Sequence, residues 1–323
     1  MSAQKQKVLI TRRVPPPMIA MLQEAGLAVD SFDQDDPPSR AALLERVPGA
    51  AGLVTMLSER VDEELLTRAG ARLRVVANFA VGFDNVDVAA CTRHGVQVTN
   101  TPGVLTDATA DLAWALILST ARRVVEGDKL VRAGQWTGWT PMQFLGLQLT
   151  GATLGILGAG RIGTAVGLRS QGFGMNVLYA DAHTSRDLEA RVAARRVDFD
   201  ELLASADVLS IHVPLSPETR HLIGAAQLAK MKSTAILINS ARGPVVDEAA
   251  LVEALRQRQI AGAGLDVYEH EPRLTPGLAN LPNVVLLPHM GSAATATRQK
   301  MSQMVAQNLI AVLEGREPPN PVN

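Results

Sequence analysis

The chain has 323 residues, 47% of them hydrophobic, with 31 basic and 32 acidic side chains and a formal net charge of -1. That length is more than one hydrophobic core ordinarily supports, so two domains are expected. The balanced charge, with no long run of either sign, gives no electrostatic case for binding nucleic acid or an anionic membrane, and no apolar stretch is long enough to span a bilayer.

In chain order, a polar N-terminus runs directly into Val8-Leu9-Ile10. No secretory signal is therefore expected, and the protein reads as cytoplasmic. Strand-like runs at 8–11, 28–32, 52–55, 74–78 and 96–98 alternate with helix-like segments, the pattern of a parallel α/β sheet. Pro15-Pro16-Pro17 closes the first strand and opens a helix, where a missing N–H costs little. Cys91 falls on a predicted helix over 85–94 and reads as a small packing residue; as the single cysteine it excludes an internal disulfide and a thiolate metal cluster. The span 106–134 reads as one long helix whose broad apolar face (Leu112, Trp114, Leu116, Ile117, Leu118) suggests more than one contact.

A second α/β series starts near residue 150, with strands predicted at 152–157, 175–179, 208–213, 235–239, 263–266 and 284–287. The final helix, over 293–313, most economically packs back on the first domain, which makes that domain discontinuous and puts a cleft between the two. A Pro-rich tail, Pro318 to Pro321, follows. The six histidines, at 94, 183, 212, 221, 270 and 289, show no metal-ligand spacing, so no metal is expected.

The most informative stretch is Gly158-Ala159-Gly160-Arg161-Ile162-Gly163, which lies between a predicted strand and a predicted helix. One glycine permits the turn, one lets backbone N–H groups approach a pyrophosphate, and one lets helix and strand pack closely. The helix N-terminus adds its positive end. The next strand runs to Asp181, whose carboxylate suits an adenosine ribose.

Three later segments each put polar groups at a strand end: Asn239-Ser240-Ala241-Arg242-Gly243, Asp266-Val267-Tyr268-Glu269-His270-Glu271-Pro272, and Pro288-His289-Met290-Gly291-Ser292. Ligands of open parallel sheets bind at such ends. Arg242 suits a carboxylate gripped by two parallel hydrogen bonds. His289 suits proton exchange with a carbonyl or hydroxyl oxygen, and Glu271 suits orienting its ring and favouring its protonated form. Taken singly, an arginine at a strand end is more often a solvated charge, and an isolated histidine is usually not catalytic.

In that order, and with Val76 to Asn85 and Asn100 to Asp107 upstream, these segments resemble the D-isomer-specific 2-hydroxyacid dehydrogenases, most closely the glyoxylate and hydroxypyruvate reductase branch. The resemblance implies two doubly wound parallel-sheet α/β domains. A Rossmann-type cofactor domain with a dimerisation helix (100–287) would be inserted into a discontinuous flavodoxin-like substrate domain (1–99 plus 288–323). It implies that Arg242 holds the substrate carboxylate, that His289 is the general acid in reduction and that Glu271 is its partner. The backbone at Val81 and Gly82 would add donors, Leu57 would line a small pocket, Ser292 would support the site, and Trp139 would reach a neighbouring active site in a homodimer. Cofactor contacts would come from Gly158, Gly160, Arg161, Ile162, Gly163, Asp181, Val213, Pro214 and Asp266.

NADH is expected over NADPH because Asp181 would face the extra phosphate, although Arg186 just beyond offers a cation for it. The expected substrate is a small 2-keto acid. Formate dehydrogenases pair the histidine with glutamine rather than a glutamate such as Glu271, and phosphite dehydrogenases carry a lysine where Val81 stands. A broader D-2-hydroxyacid dehydrogenase is the enzyme alternative. The C-terminal-binding-protein corepressors, NAD(H)-sensing binding modules on a similar scaffold, are the alternative outside enzymes.

Overall fold

The computed structural model describes residues 5–323. In chain order its elements are β1 (Lys7–Ile10), α1 (Pro17–Glu24), β2 (Ala28–Ser31), α2 (Arg40–Arg46), β3 (Ala50–Thr55), α3 (Glu63–Ala69), β4 (Val75–Asn78), α4 (Val88–Arg93) and β5 (Gln97–Thr99). There follow α5 (Thr106–Ala121), α6 (Val124–Arg132), β6 (Thr153–Leu157), α7 (Arg161–Arg169), β7 (Asn176–Ala180), α8 (Arg186–Val192), β8 (Arg195–Arg196) and α9 (Phe199–Ser205). The last group is β9 (Val208–Ile211), α10 (Ala225–Leu228), β10 (Ile236–Asn239), α11 (Glu248–Arg256), β11 (Gly262–Leu265), β12 (Val284–Leu286) and α12 (Thr295–Leu313).

The chain divides into two compact units. The first comprises the described residues up to Leu105 together with Ser292–Asn323, and the second is Thr106–Gly291. Expected boundaries at 99/100 and 287/288 thus shift, and His289 belongs to the second unit rather than to the discontinuous one. The physical reason is local: the His289, Met290 and Gly291 amides all donate to Asp266, just beyond β11.

The first unit is a five-stranded sheet ordered β2-β1-β3-β4-β5, all pairs parallel. β3 is buried along its whole length, as a central strand covered on both faces must be. Pro17 opens α1 at its first position, and Ser39, Asp62 and Asp87 accept hydrogen bonds from the first turns of α2, α3 and α4. α12 returns to this unit. Ser302 Oγ accepts from the Met18 amide at 3.2 Å, and the Arg74 guanidinium donates to the Val312 and Leu313 carbonyls that end the helix. The Pro-rich tail continues as an antiparallel bridge, Thr99 to Pro321, along β5.

The second unit is a seven-stranded parallel sheet ordered β12-β11-β10-β9-β6-β7-β8. The two-residue β8, too short and polar for a strand signal, is an addition to the expected series. The span 106–134 is two helices rather than one. Arg123 takes the left-handed conformation (φ 54), held by its ion pair with Glu126 and by the Phe144 ring under its guanidinium, while the Leu147 amide caps the Ala121 carbonyl. The apolar surplus of α5 is covered inside its own unit: Leu116 and Thr120 lie on Gly264 and Gly262 of β11, and Trp114 stacks on Phe173 and donates to the Val166 carbonyl.

Candidate active site

In the second unit, strand order reverses between β6 and β9, the position at which open parallel sheets bind ligands. The turn 158–163 opens there. Gly158 has φ 92, and a side chain on it would lie 2.8 Å from the backbone of His212 and Val213, which follow β9. A Cβ on Gly163 would lie 2.0 Å from the Gly158 carbonyl oxygen, so the first turn of α7 sits directly on the loop. Gly160 is different, because a Cβ there would meet nothing within 4 Å. It caps α7 without a side chain, so the helix N-terminus and the adjoining backbone face open space. These residues fit a dinucleotide's pyrophosphate, with Arg161 and Ile162 on the first helical turn and Val213-Pro214 opposite.

Asp181, one residue past β7, accepts from the Ala159 amide at 2.7 Å through one oxygen and from the His183 amide at 2.8 Å through the other. The residue expected to meet the ribose therefore also shapes the glycine turn. Arg196 donates to the Asp181 and Ala182 carbonyls and holds the following loop. Arg186 stands exposed at the start of α8. Burial pushes the His212 ring down to about 3, so it is a neutral partner for Ser210 at 2.8 Å.

The expected chemical residues lie at the C-terminal ends of β10, β11 and β12 in the same sheet. Asn239, 1% exposed, orders the β10 turn: its carbonyl oxygen accepts from the Ala241 amide, and its amide donates to the Arg242 carbonyl. Arg242 is half-buried and its guanidinium donates to the Ala241 carbonyl at 2.7 Å. Gly243 has no room for a side chain, since a Cβ would lie 1.9 Å from the Tyr268 carbonyl carbon and oxygen. The Arg242 turn is therefore pressed onto the segment that leads to Glu271.

His289 Nδ1 is 2.8 Å from Glu271 Oε2, and Glu271 Oε1 accepts from the Tyr268 amide at 3.0 Å. Adjacent roles were expected for these two residues, and the fold brings them into direct contact. His289 itself is left-handed (φ 50). What holds it there is Asp266, 1% exposed, whose carbonyl accepts from the His289 amide and whose carboxylate oxygens accept from Met290 at 2.7 Å and Gly291 at 2.8 Å. Burial raises the Asp266 pKa, opposed by those two amides and by the His289 charge. Asp266 was expected only among the cofactor contacts; its anchoring of the histidine loop leaves no local sequence signal. Tyr268 donates its hydroxyl to the Leu287 carbonyl at 2.8 Å, and its pKa is pushed up to about 12 by burial and by the Asp266, Glu271 and Glu248 charges.

The first unit carries Leu57, Val81 and Gly82 beyond β3 and β4, and Ser292 where the chain re-enters it. Asn78 donates to the Gly82 carbonyl and Asn100 to the Val81 carbonyl, which fixes that loop, and Asn85 donates to the Met56 and Glu59 carbonyls on either side of Leu57. Trp139, in the second unit after α6, is 80% exposed.

Residues 114–291 match the family described as D-isomer specific 2-hydroxyacid dehydrogenase, NAD binding domain. The chain belongs to this family. It is 49% identical to the glyoxylate reductase of Thermococcus litoralis over 99% of this chain and 97% of that protein. Among solved structures it resembles a Thermus thermophilus protein at 48% identity and a TM-score of 0.92, covering 98% of this chain and 100% of the other. It also resembles the NADPH-dependent glyoxylate/hydroxypyruvate reductase of Sinorhizobium meliloti, solved with NADP and malonate, at 35% identity and a TM-score of 0.87, covering 99% of this chain and 97% of the other.

Proposed function

We propose that this chain is an NAD(P)H-dependent reductase of small 2-keto acids, with glyoxylate and hydroxypyruvate as substrates. The observation that carries the reading is the 2.8 Å His289–Glu271 pair at the strand ends of the dinucleotide sheet, on a segment pressed against the Arg242 turn. The names of these two relatives point to the same activity.

A bound nicotinamide supplies the hydride and its two electrons. Arg242 binds the substrate carboxylate and orients the keto carbon. Because Glu271 occupies Nδ1 of His289, the other ring nitrogen, Nε2, delivers the proton to the keto oxygen, which leaves as the hydroxyl of a 2-hydroxy acid. Leu57, Val81, Gly82, Ser292 and Trp139 keep their expected substrate-side roles within this proposal.

NADH is the preferred cofactor in this reading. Two unit charges about 5 Å apart at an effective dielectric near 20 repel by roughly 3 kcal/mol, which sets Asp181 against the 2′-phosphate of NADPH. The proposal also includes a homodimer. Val124, Val131, Trp136, Trp139, Met142 and Leu145 are all exposed within one short stretch, and such a patch favours coverage by a second copy.

The test is the initial rate of NADH loss with purified protein and glyoxylate, hydroxypyruvate or pyruvate. Rapid loss with the first two and little with pyruvate is expected. No loss with any of the three, in a protein that binds NADH, would overturn the reading.

A further inference from the structure

The loop after β11 carries two carboxylates two residues apart, and each meets a histidine. Glu271 meets His289; Glu269 meets His221, with Nε2 to Oε1 at 2.6 Å. Both histidines are left-handed, at φ 50 and φ 52. The Glu269 side chain is 10% exposed, more deeply buried than that of Glu271, and also accepts from the Arg220 guanidinium at 3.1 Å. A carboxylate is kept in such a place only when it is paired, and removal of its partners is costly.

The partners of Glu269 lead straight to the Arg242 turn. The His221 amide donates to the Pro244 carbonyl at 2.8 Å, the Ile223 amide to Val245 at 3.1 Å, and the Asp247 amide back to Ile223 at 2.9 Å. From the other side, the Glu269 amide donates to Glu248 Oε1 at 2.6 Å, and Glu248 Oε2 accepts from Thr275 at 2.7 Å. Glu248 is the first residue of α11 and is buried, where the positive end of the helix favours its charge. Gly243 closes the arrangement by its contact with Tyr268 and Glu269.

We propose that Glu269, through His221 and Arg220, is a positioning residue that locks the Arg242 turn against the loop bearing Glu271. This rests on the roles of Arg242 and Glu271 given under the proposed function. The Glu269 side chain faces the opposite partner set from Glu271, so its effect reaches the reaction only through the placement of those two groups. Cofactor binding at the turn 158–163 is left untouched.

The test compares Glu269→Ala, Glu269→Gln, His221→Ala and the double variant Glu269→Ala/His221→Ala in the full chain. It reads kcat and KM for glyoxylate, the Kd for NADH and the melting temperature. Glu269→Ala is expected to raise the glyoxylate KM by about tenfold and lower kcat several-fold, with the NADH Kd within about twofold of wild type. Glu269→Gln, which keeps an acceptor for His221, should recover most of the loss. The double variant should be no worse than the worse single, as expected for one shared contact. Unchanged kcat and KM in Glu269→Ala would overturn the inference alone, as would a loss that Gln does not relieve and that extends equally to NADH. A wild-type chain without keto-acid-dependent NADH loss would overturn the proposed function together with it.

Discussion

The two sheets reverse strand order at equivalent points, β1/β3 in the first unit and β6/β9 in the second, but the reversals are filled in opposite ways. In the second unit three glycines strip the crevice of side chains, and Gly160 faces open space. In the first unit the crevice holds Glu59, 4% exposed, which accepts from Thr11 at 2.7 Å, the Met56 amide at 2.6 Å, Ser58 at 2.6 Å and the Arg12 guanidinium at 2.6 Å. One buried carboxylate thus gathers the donors at this switch. Topology therefore offers a crevice to both units, and the residues at the switch decide how each is filled.

The contrast breaks most severely at Gly163. An alanine there drives its methyl into the Gly158 carbonyl, a backbone group that cannot swing aside, with the Ile156 side chain 3.1 Å away on a neighbouring flank. Gly163→Ala should destabilise the second unit by about 3 kcal/mol or more and abolish NADH binding, read by urea unfolding and fluorescence titration. Near-normal NADH affinity would mean that the close approach is dispensable.

Next in size is Glu59→Ala, which leaves Arg12 and three other donors without their shared acceptor. Because Arg12 is partly exposed, the expected loss is about 2 to 4 kcal/mol, with the NADH Kd unchanged. Glu59 also sets a pH dependence. Burial alone would raise its pKa, but the hydrogen bonds from Ser58, Met56, Thr11 and Arg12 hold it below the ordinary 4.5. A lowered folded pKa stabilises fully above the unfolded value and less as pH falls through the folded one. The urea midpoint should therefore drop below about pH 4.5, and that drop should shrink in Glu59→Gln.

A smaller change is expected for Asp181→Ala. Removing the charge should raise the ratio of NADPH to NADH catalytic efficiency by about 10- to 100-fold, a fraction of the roughly 3 kcal/mol repulsion because the Ala159 and His183 amides lose an acceptor as well. A ratio that stays put would shift cofactor choice to Arg186. The mildest structural effect belongs to Gly160→Ala, whose stability should stay within about 0.5 kcal/mol of wild type. Its NADH affinity should nevertheless fall about tenfold, which would separate a glycine kept for the ligand from Gly163, kept for the fold.

The sheets were legible because β-branched apolar runs mark the buried parallel strands, and the glycine turn was legible because close backbone approach leaves glycine no substitute. Arg122-Arg123 gave no warning of a helix break, since arginine is a good helix former and the break is imposed by Glu126, Phe144 and the returning Leu147. β8 is too short to show a period. Arg242, Glu271 and His289 stood out at strand ends, each within a few residues of a turn. Asp266 stood out only as a cofactor contact; its anchoring of the His289 loop and the pairing of Glu269 did not, because that work is done through backbone amides and a histidine 48 positions away in sequence, which no local pattern encodes.

The most direct measurement is the glyoxylate turnover of His289→Asn beside wild type, with NADH affinity determined on the same preparations. A general acid is worth about 10²- to 10⁴-fold, so kcat should fall by that order while the NADH Kd holds. A kcat within a few-fold of wild type would contradict the assignment of His289 as the proton donor.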